Sequence, residues 1–165
     1  MPNPSDLVKI ILPHGEEHGF GHNPVGQTER YSAPPTGSVP TNTLWTYNVA
    51  RQPVATIKPD GTVISNAYDS AGRLVSVTAS RGGESDSIDY AYDEAWLDHV
   101  ARDGESIAYG YDCFLTTDEW TPDHDLNWEY DDDFRVVGLA LDDMYATAYE
   151  YDDDGALVFA GDLAL

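Results

Sequence analysis

Asp60-Gly61-Thr62-Val63-Ile64-Ser65-Asn66-Ala67-Tyr68-Asp69-Ser70-Ala71-Gly72-Arg73-Leu74-Val75-Ser76-Val77-Thr78 decides how the chain is read. A strand ends in Tyr68-Asp69, a short turn containing Gly72 follows, and a second strand leaves with Leu74 and Ser76 alternating against Val75 and Val77. Successive side chains of a strand point to opposite faces, so two such runs joined by a short turn predict a β-hairpin. The anchor returns at Tyr92-Asp93, Tyr111-Asp112, Tyr130-Asp131 and Tyr151-Asp152, and Tyr47-Asn48 is an early variant with an amide in place of the acid. The spacing, about 19 to 24 residues, falls where a period signals a repeat architecture.

The strands entering the anchors carry aromatics at every second position. Ile107, Tyr109 and Tyr111 share one face, as do Ile88, Tyr90 and Tyr92, then Leu126, Trp128 and Tyr130, then Tyr145, Thr147, Tyr149 and Tyr151; Trp45 and Tyr47 begin the series. The expected result is a ladder of aromatics on one side of a sheet, with Tyr111 and Tyr130 costing as much to truncate as buried aromatics do. Asp60-Gly61 and Asp103-Gly104 join exit strand to entry strand as tight hairpins. Arg81-Gly82-Gly83-Glu84-Ser85-Asp86 reads as a longer loop in the same role, and 121–125 as another. The glycine of the Tyr-Asp turn is present at Gly72 and Gly155 but missing after Tyr92, Tyr111 and Tyr130, and the turns after Tyr92 and Tyr111 are expected to be short.

With these residues in view, the chain resembles the YD repeats of the RHS family, found in bacterial polymorphic toxins, toxin-complex B and C components and teneurins. Tyr68-Asp69-Ser70-Ala71-Gly72-Arg73-Leu74 and Tyr151-Asp152-Asp153-Asp154-Gly155-Ala156-Leu157 carry the resemblance, which covers roughly residues 12 to 165. It implies an all-β fold, an array of antiparallel hairpins forming a curved, twisted sheet that makes a partial turn of a hollow shell. Tyr47, Tyr68, Asp69, Gly72, Tyr92, Asp93, Tyr111, Asp112, Tyr130, Asp131, Tyr151, Asp152 and Gly155 then serve as structural motif residues. It also implies a polypeptide cargo, and sugar stacking by exposed aromatics, for which Tyr90, Tyr109, Trp128 and Tyr149 are the candidates. In that family the self-cleaving core region and the toxin follow the repeats, and neither is recognisable here.

Two segments are expected. Residues 1–42 hold a strand-like stretch, Leu7 to Leu12, and an extended loop and candidate cap, whose Gly/Pro-rich composition runs over 13–44 to the boundary; residues 43–165 form the repeat sheet. No signal peptide or span of transmembrane length is visible, so the chain is expected to travel by a non-Sec route or to be an internal piece of an extracellular or surface protein.

Thirty acidic residues face eight basic ones, a net charge of −22. Residues 1–58 balance to zero, so the excess lies after Lys58, where Arg73, Arg81, Arg102 and Arg135 are the cations. Such a surface excludes nucleic acid and anionic membranes as partners. It is read as a solubility device or an adaptation to high salt, which screens repulsion, in preference to the alternative of binding cations or a basic partner.

Candidate chemistry is thin. His14, His18 and His22 are spaced by four, but Gly15, Gly19 and Gly21 argue against a helix that would align them as metal ligands. Asp131-Asp132-Asp133 and Asp152-Asp153-Asp154-Gly155 lack the spaced oxygens of a calcium loop. Cys113 stands alone. No metal, cofactor or enzymatic activity is expected. The expectation is a non-enzymatic scaffold that self-associates, through sheet edges or the aromatic face, as a homodimer; the alternative is a carbohydrate- or partner-binding module.

Overall fold

In the computed structural model, residues 6–35, 37 and 39–164 are described, and the side chains of Tyr145 and Ala164 lie outside that description together with the terminal Leu165. The fold is all-β, antiparallel hairpins in an open sheet, with no helix among the described residues. The strands are β1 (Lys9–Ile11), β2 (Glu17–His22), β3 (Thr28–Ser32), β4 (Asn42–Tyr47), β5 (Pro53–Ile57), β6 (Val63–Tyr68), β7 (Leu74–Arg81), β8 (Glu84–Asp93), β9 (Trp96–Arg102), β10 (Glu105–Asp112), β11 (Leu115–Trp120), β12 (Asp125–Tyr130), β13 (Val136–Leu141), β14 (Tyr145–Tyr151), β15 (Leu157–Ala160) and β16 (Leu163–Ala164). Their order follows the sequence without a crossover. Two compact units divide the chain, 1–88 and 89–165.

Within the first unit, β2 and β3 correct the loop expected over 13–44. Gly19 pairs with Ser32 and Phe20 with Tyr31, and β3 continues into β4 through Arg30 and Leu44. The glycines that argue for a loop alternate with His18, Phe20 and His22, and that period-two pattern prevails. A second correction falls at Arg81–Asp86. The chain turns in two residues, Gly82 and Gly83, both at positive φ, and the polar run Glu84-Ser85-Asp86 is already strand. A primed two-residue turn needs positive φ at both centres, which a Gly-Gly pair gives at no steric cost. Asp103-Gly104 forms the same kind of turn in the second unit, with Arg102 paired to Glu105.

Along the entry-strand face, the aromatics are paired with aliphatic residues or, at Glu119, with an acid. Tyr90 pairs with Val100, which pairs in turn with Ile107. Tyr109 pairs with Glu119, which pairs with Leu126. Trp128 pairs with Leu139 and Tyr149 with Ala160. The exit strands thus space the rings apart, because each hairpin contributes one entry and one exit strand to the sheet.

No described residue is fully buried. The expectation that the motif tyrosines behave as core aromatics is corrected accordingly: Tyr47, Tyr68, Tyr92, Tyr111, Tyr130 and Tyr151 are half-buried. A sheet one layer thick gives each side chain lateral neighbours but no second layer to shut out water. Its cohesion must come from backbone pairing and from what links one hairpin to the next.

Candidate functional site: the repeat junctions

Every Tyr-Asp hairpin carries a β-bulge at the tyrosine. Tyr68 pairs with Leu74 while Ala67 pairs with Ser76, so Val75 is the extra residue. The same slip occurs at Tyr47, Tyr92, Tyr111, Tyr130 and Tyr151, and at His22, where Glu29 is the extra residue. A bulge interrupts the ladder and strands backbone polar groups. The next motif tyrosine supplies a partner. Tyr47 Oη donates to the Thr28 carbonyl (2.6 Å), Tyr68 to Pro53 (2.9 Å), Tyr111 to Leu97 (3.0 Å), Tyr130 to Thr116 (2.7 Å) and Tyr151 to Val136 (2.8 Å). Each acceptor is the residue paired with the preceding motif aromatic: Thr28 with His22, Pro53 with Tyr47, Leu97 with Tyr92, Thr116 with Tyr111 and Val136 with Tyr130. At these five tyrosines the hydroxyl therefore ties a hairpin to the bulge of the one before it.

The Asx residue that follows organises the turn. Asp69 N donates to the Arg73 carbonyl (2.9 Å), Gly72 N to the Asp69 carbonyl (3.1 Å), and Asp69 Oδ1 accepts from Ala71 N and Arg73 N (2.9 Å each). Asn23, Asp131 and Asp152 repeat this pattern, and Asn48 repeats its main-chain bonds with Oδ1 accepting from Gln52 N. The fourth residue of each turn lies at positive φ: Gly26, Arg51, Gly72, Phe134 and Gly155. In four of these turns the fifth residue matches the first; in the other, Ala156 stands opposite Asp152. Amide meets amide in Asn23–Gln27 (3.1 Å) and Asn48–Gln52 (2.9 Å); carboxylate meets guanidinium in Asp69–Arg73 (2.7 Å) and Asp131–Arg135 (2.8 Å). Hydrogen bonds from the following backbone N–H groups, led by Arg73 N and Arg135 N, hold the Asp69 and Asp131 carboxyls below the usual carboxylate range, and the guanidinium adds to this. The aspartate runs 131–133 and 152–154 have their first carboxylate occupied by the turn.

The fifth residue also reaches the following turn. Gln27 Nε2 donates to the Arg51 carbonyl (2.9 Å) and Gln52 Nε2 to the Gly72 carbonyl (2.6 Å). Arg135 lies 4.9 Å from the centre of the Tyr151 ring.

Where the turns are short, after Asp93 and Asp112, Glu94 and Cys113 take positive φ, with Asp93 paired to Trp96 and Asp112 to Leu115. Rings fill these places: Trp96 lies 5.3 Å from Tyr111, and Phe114 5.2 Å from Phe134. Trp96, Tyr109, Tyr111, Asp93, Asp98 and Cys113 line a shallow hollow of about 310 Å³. Cys113 is exposed.

The four sugar-stacking candidates, Tyr90, Tyr109, Trp128 and Tyr149, sit half-buried on separate strands. Burial is the main cause that raises the Tyr109 hydroxyl above its usual value, and Glu119 adds to it. Of the three histidines, His18 bonds Tyr31 (2.6 Å), His22 takes the place of a motif tyrosine with Nδ1 buried and unpartnered, and His14 lies in a turn. Among the described residues no group of three His, Cys, Asp or Glu side chains is arranged to hold a metal ion.

Sequence reasoning missed the His22-Asn23-Pro24-Val25-Gly26 turn, although its Asx-x-x-Gly spacing was a usable signal. It also missed the bulges and the pairing of first and fifth turn residues.

No protein-family model matches the chain, and no curated protein sequence matches it. Solved structures do. The crystal structure of TcdB2-TccC3 without its hypervariable C-terminal region matches with TM-score 0.74 and 19% identity, over 88% of this chain and 9% of that one. TcdB2-TccC3-Cdc42 matches with TM-score 0.67 and 20% identity, over 91% and 9%, and TcdB2-TccC3-TEV with 0.72 and 14%, over 88% and 9%. This chain therefore spans about a tenth of the length of the chains it matches. In its fold, the chain is RHS-like.

Proposed function

We propose that this chain is a length of non-enzymatic scaffold, a section of the wall of an RHS-type encapsulating or surface-displayed shell. The observation that carries the reading is a sheet of one layer in which no described residue is fully buried and in which Tyr47, Tyr68, Tyr111, Tyr130 and Tyr151 each tie their hairpin to a carbonyl beside the preceding bulge. A catalytic domain holds reacting groups in a dry, preorganised pocket; a wall needs only a repeat that can be extended. The likeness to a short portion of the long TcdB2-TccC3 chains supports the same reading.

The wall would enclose a polypeptide cargo and act outside the cell or at its surface, in a setting where salt screens the acidic second unit. Electron cryo-microscopy of the gene product with whatever its gene encodes on either side tests this: a hollow particle with this sheet in its wall is the expected result, and a globular domain packed on both faces of the sheet contradicts it. Self-association of the isolated chain, through sheet edges or the aromatic face, is part of the proposal, because unpaired edges template further strands. Light scattering across a salt series should show a dimer at high salt, and a strict monomer at high salt and high concentration counts against it. Glycan binding abolished by Trp128→Ala would favour the carbohydrate-binding alternative instead.

A further inference from the structure

Phe114 and Phe134 are the least expected side chains of the second unit. They sit on consecutive turns of the same sheet end, β10–β11 and β12–β13, and their rings meet at 5.2 Å. About 60% of each remains exposed, 61% and 60%. Burying two large rings stabilises a fold; leaving them in water on adjacent turns does not.

The backbone makes the case sharper. Phe134 adopts φ 62°, at the turn position where Gly26, Gly72 and Gly155 stand in the sister turns. Cys113, next to Phe114, adopts φ 52°. A bulky residue in the left-handed region is strained, and of the four sister turns three place glycine there and one Arg51 (φ 65°), so the turn itself does not call for an aromatic. Strain retained at an exposed position points to use and not to folding.

The surroundings define the user. The turns read Asp93-Glu94-Ala95-Trp96, Asp112-Cys113-Phe114-Leu115 and Asp131-Asp132-Asp133-Phe134-Arg135. Arg135 is the one cation in them, and it is held by Asp131 (2.8 Å) and Asp133 (3.2 Å). Asp112, Asp132 and Asp133 are exposed. Apolar anchors within a charged rim are the usual anatomy of a protein contact, and the rim selects a partner of opposite sign. A second copy would set the same acidic rim against itself.

We propose that Phe114 and Phe134 are the anchors of a protein-binding site whose partner presents an apolar recess rimmed by lysine or arginine. The site goes beyond the scaffold reading and does not depend on it.

The test uses two dye-labelled synthetic peptides of equal length and charge, one alternating leucine with lysine and one alternating serine with lysine. Anisotropy titrations of the full chain should show the leucine peptide binding about tenfold tighter, the equivalent of one apolar anchor well seated. The double variant Phe134→Gly with Phe114→Ser should erase that preference while leaving the serine peptide unchanged. Phe134→Gly alone, which installs the residue of the sister turns and keeps the turn intact, should weaken the preference without lowering the melting temperature. Asp132→Asn with Asp133→Asn should weaken both peptides. Equal affinity of the two peptides for the wild-type chain overturns the proposal, as does a leucine preference that survives the double variant. Phenylalanine-dependent dimerisation of the free chain would assign the anchors to a second copy, and phenylalanine-dependent binding to neutral phosphatidylcholine vesicles would assign them to a membrane; either result overturns it.

Discussion

The turns at 23–27, 48–52 and 69–73 in the first unit and those at 93–96, 112–115 and 131–135 in the second close equivalent hairpins with different chemistry. In the first unit the turn residues are amides or an Asp–Arg pair, and glutamine side chains carry hydrogen bonds from one turn to the next. In the second unit two turns are cut short and aromatic rings take the linking positions, while the 131–135 turn keeps the Asp–Arg pair of 69–73 and adds Phe134. Below the turns the two units agree. Tyr47 and Tyr68 in one, and Tyr111, Tyr130 and Tyr151 in the other, donate to the carbonyl beside the previous bulge. The strand portion of the repeat is therefore what makes the sheet, and the turn is free to vary in charge, length and exposure. That division lets one unit carry almost the whole net negative charge without altering the junction.

The largest effect expected is on the junction. Tyr130→Ala should destabilise the chain by about 2–3 kcal/mol, combining loss of a half-buried ring and of its hydrogen bond. Asp132→Ala or Asp153→Ala should stay within about 0.5 kcal/mol. Thermal melting compares them, and equal effects would mean that the ring contributes nothing beyond a surface residue.

The next effect separates the turns. Gly72→Ala forces a Cβ into φ 84° and should cost about 1–2 kcal/mol. The reciprocal change in the second unit, Phe134→Gly, removes the same strain, and after the lost ring contact it should change stability by no more than about 0.5 kcal/mol. A large loss in Phe134→Gly would show that the aromatic turn is structural.

The smallest effect concerns the opposite end of the second unit. His124 Nδ1 lies 2.8 Å from Asp142 Oδ2, and Asp142 Oδ1 accepts from Asp125 N. The hydrogen bond to Asp142 raises the His124 pKa above its ordinary 6.5, its charge adding to this. A raised folded-state value contributes stability that is fully present below about pH 6.5 and is lost as pH rises through the folded-state value. His124→Asn should therefore lower the melting temperature slightly at pH 5.5 and leave it unchanged at pH 9. A difference that persists at pH 9 would point to lost packing instead of lost charge.

Much of this fold was legible because period-two alternation and Tyr-Asp recur in register. The short turns after Tyr92 and Tyr111 could be read from missing residues alone. The first turn was not, because His22 replaces the tyrosine that marks the others, and the glycines of β2 imitate a loop. The Gly82-Gly83 turn was misread because polarity was taken for looseness, whereas two glycines are what a primed hairpin requires. The junction itself was hidden for a different reason. A bulge shifts register by one residue in three dimensions and leaves no mark in a repeat that every copy shares. Exposure was hidden too, since alternation shows that two faces differ but not whether either is covered.

The central claim is that the motif hydroxyl, and not the ring alone, joins one hairpin to the next. Tyr68→Phe and Tyr130→Phe keep the ring and delete the donor in one unit each, removing that bond from the Thr116 carbonyl and from the Pro53 carbonyl, which also accepts from Asn66 Nδ2 (2.9 Å). The thermal melts of both variants measure it most directly: a loss of about 1 kcal/mol, alike in the two, is the result expected of a shared junction. Wild-type stability in either variant would contradict the account, for the ring would then be sufficient and the hydroxyl incidental.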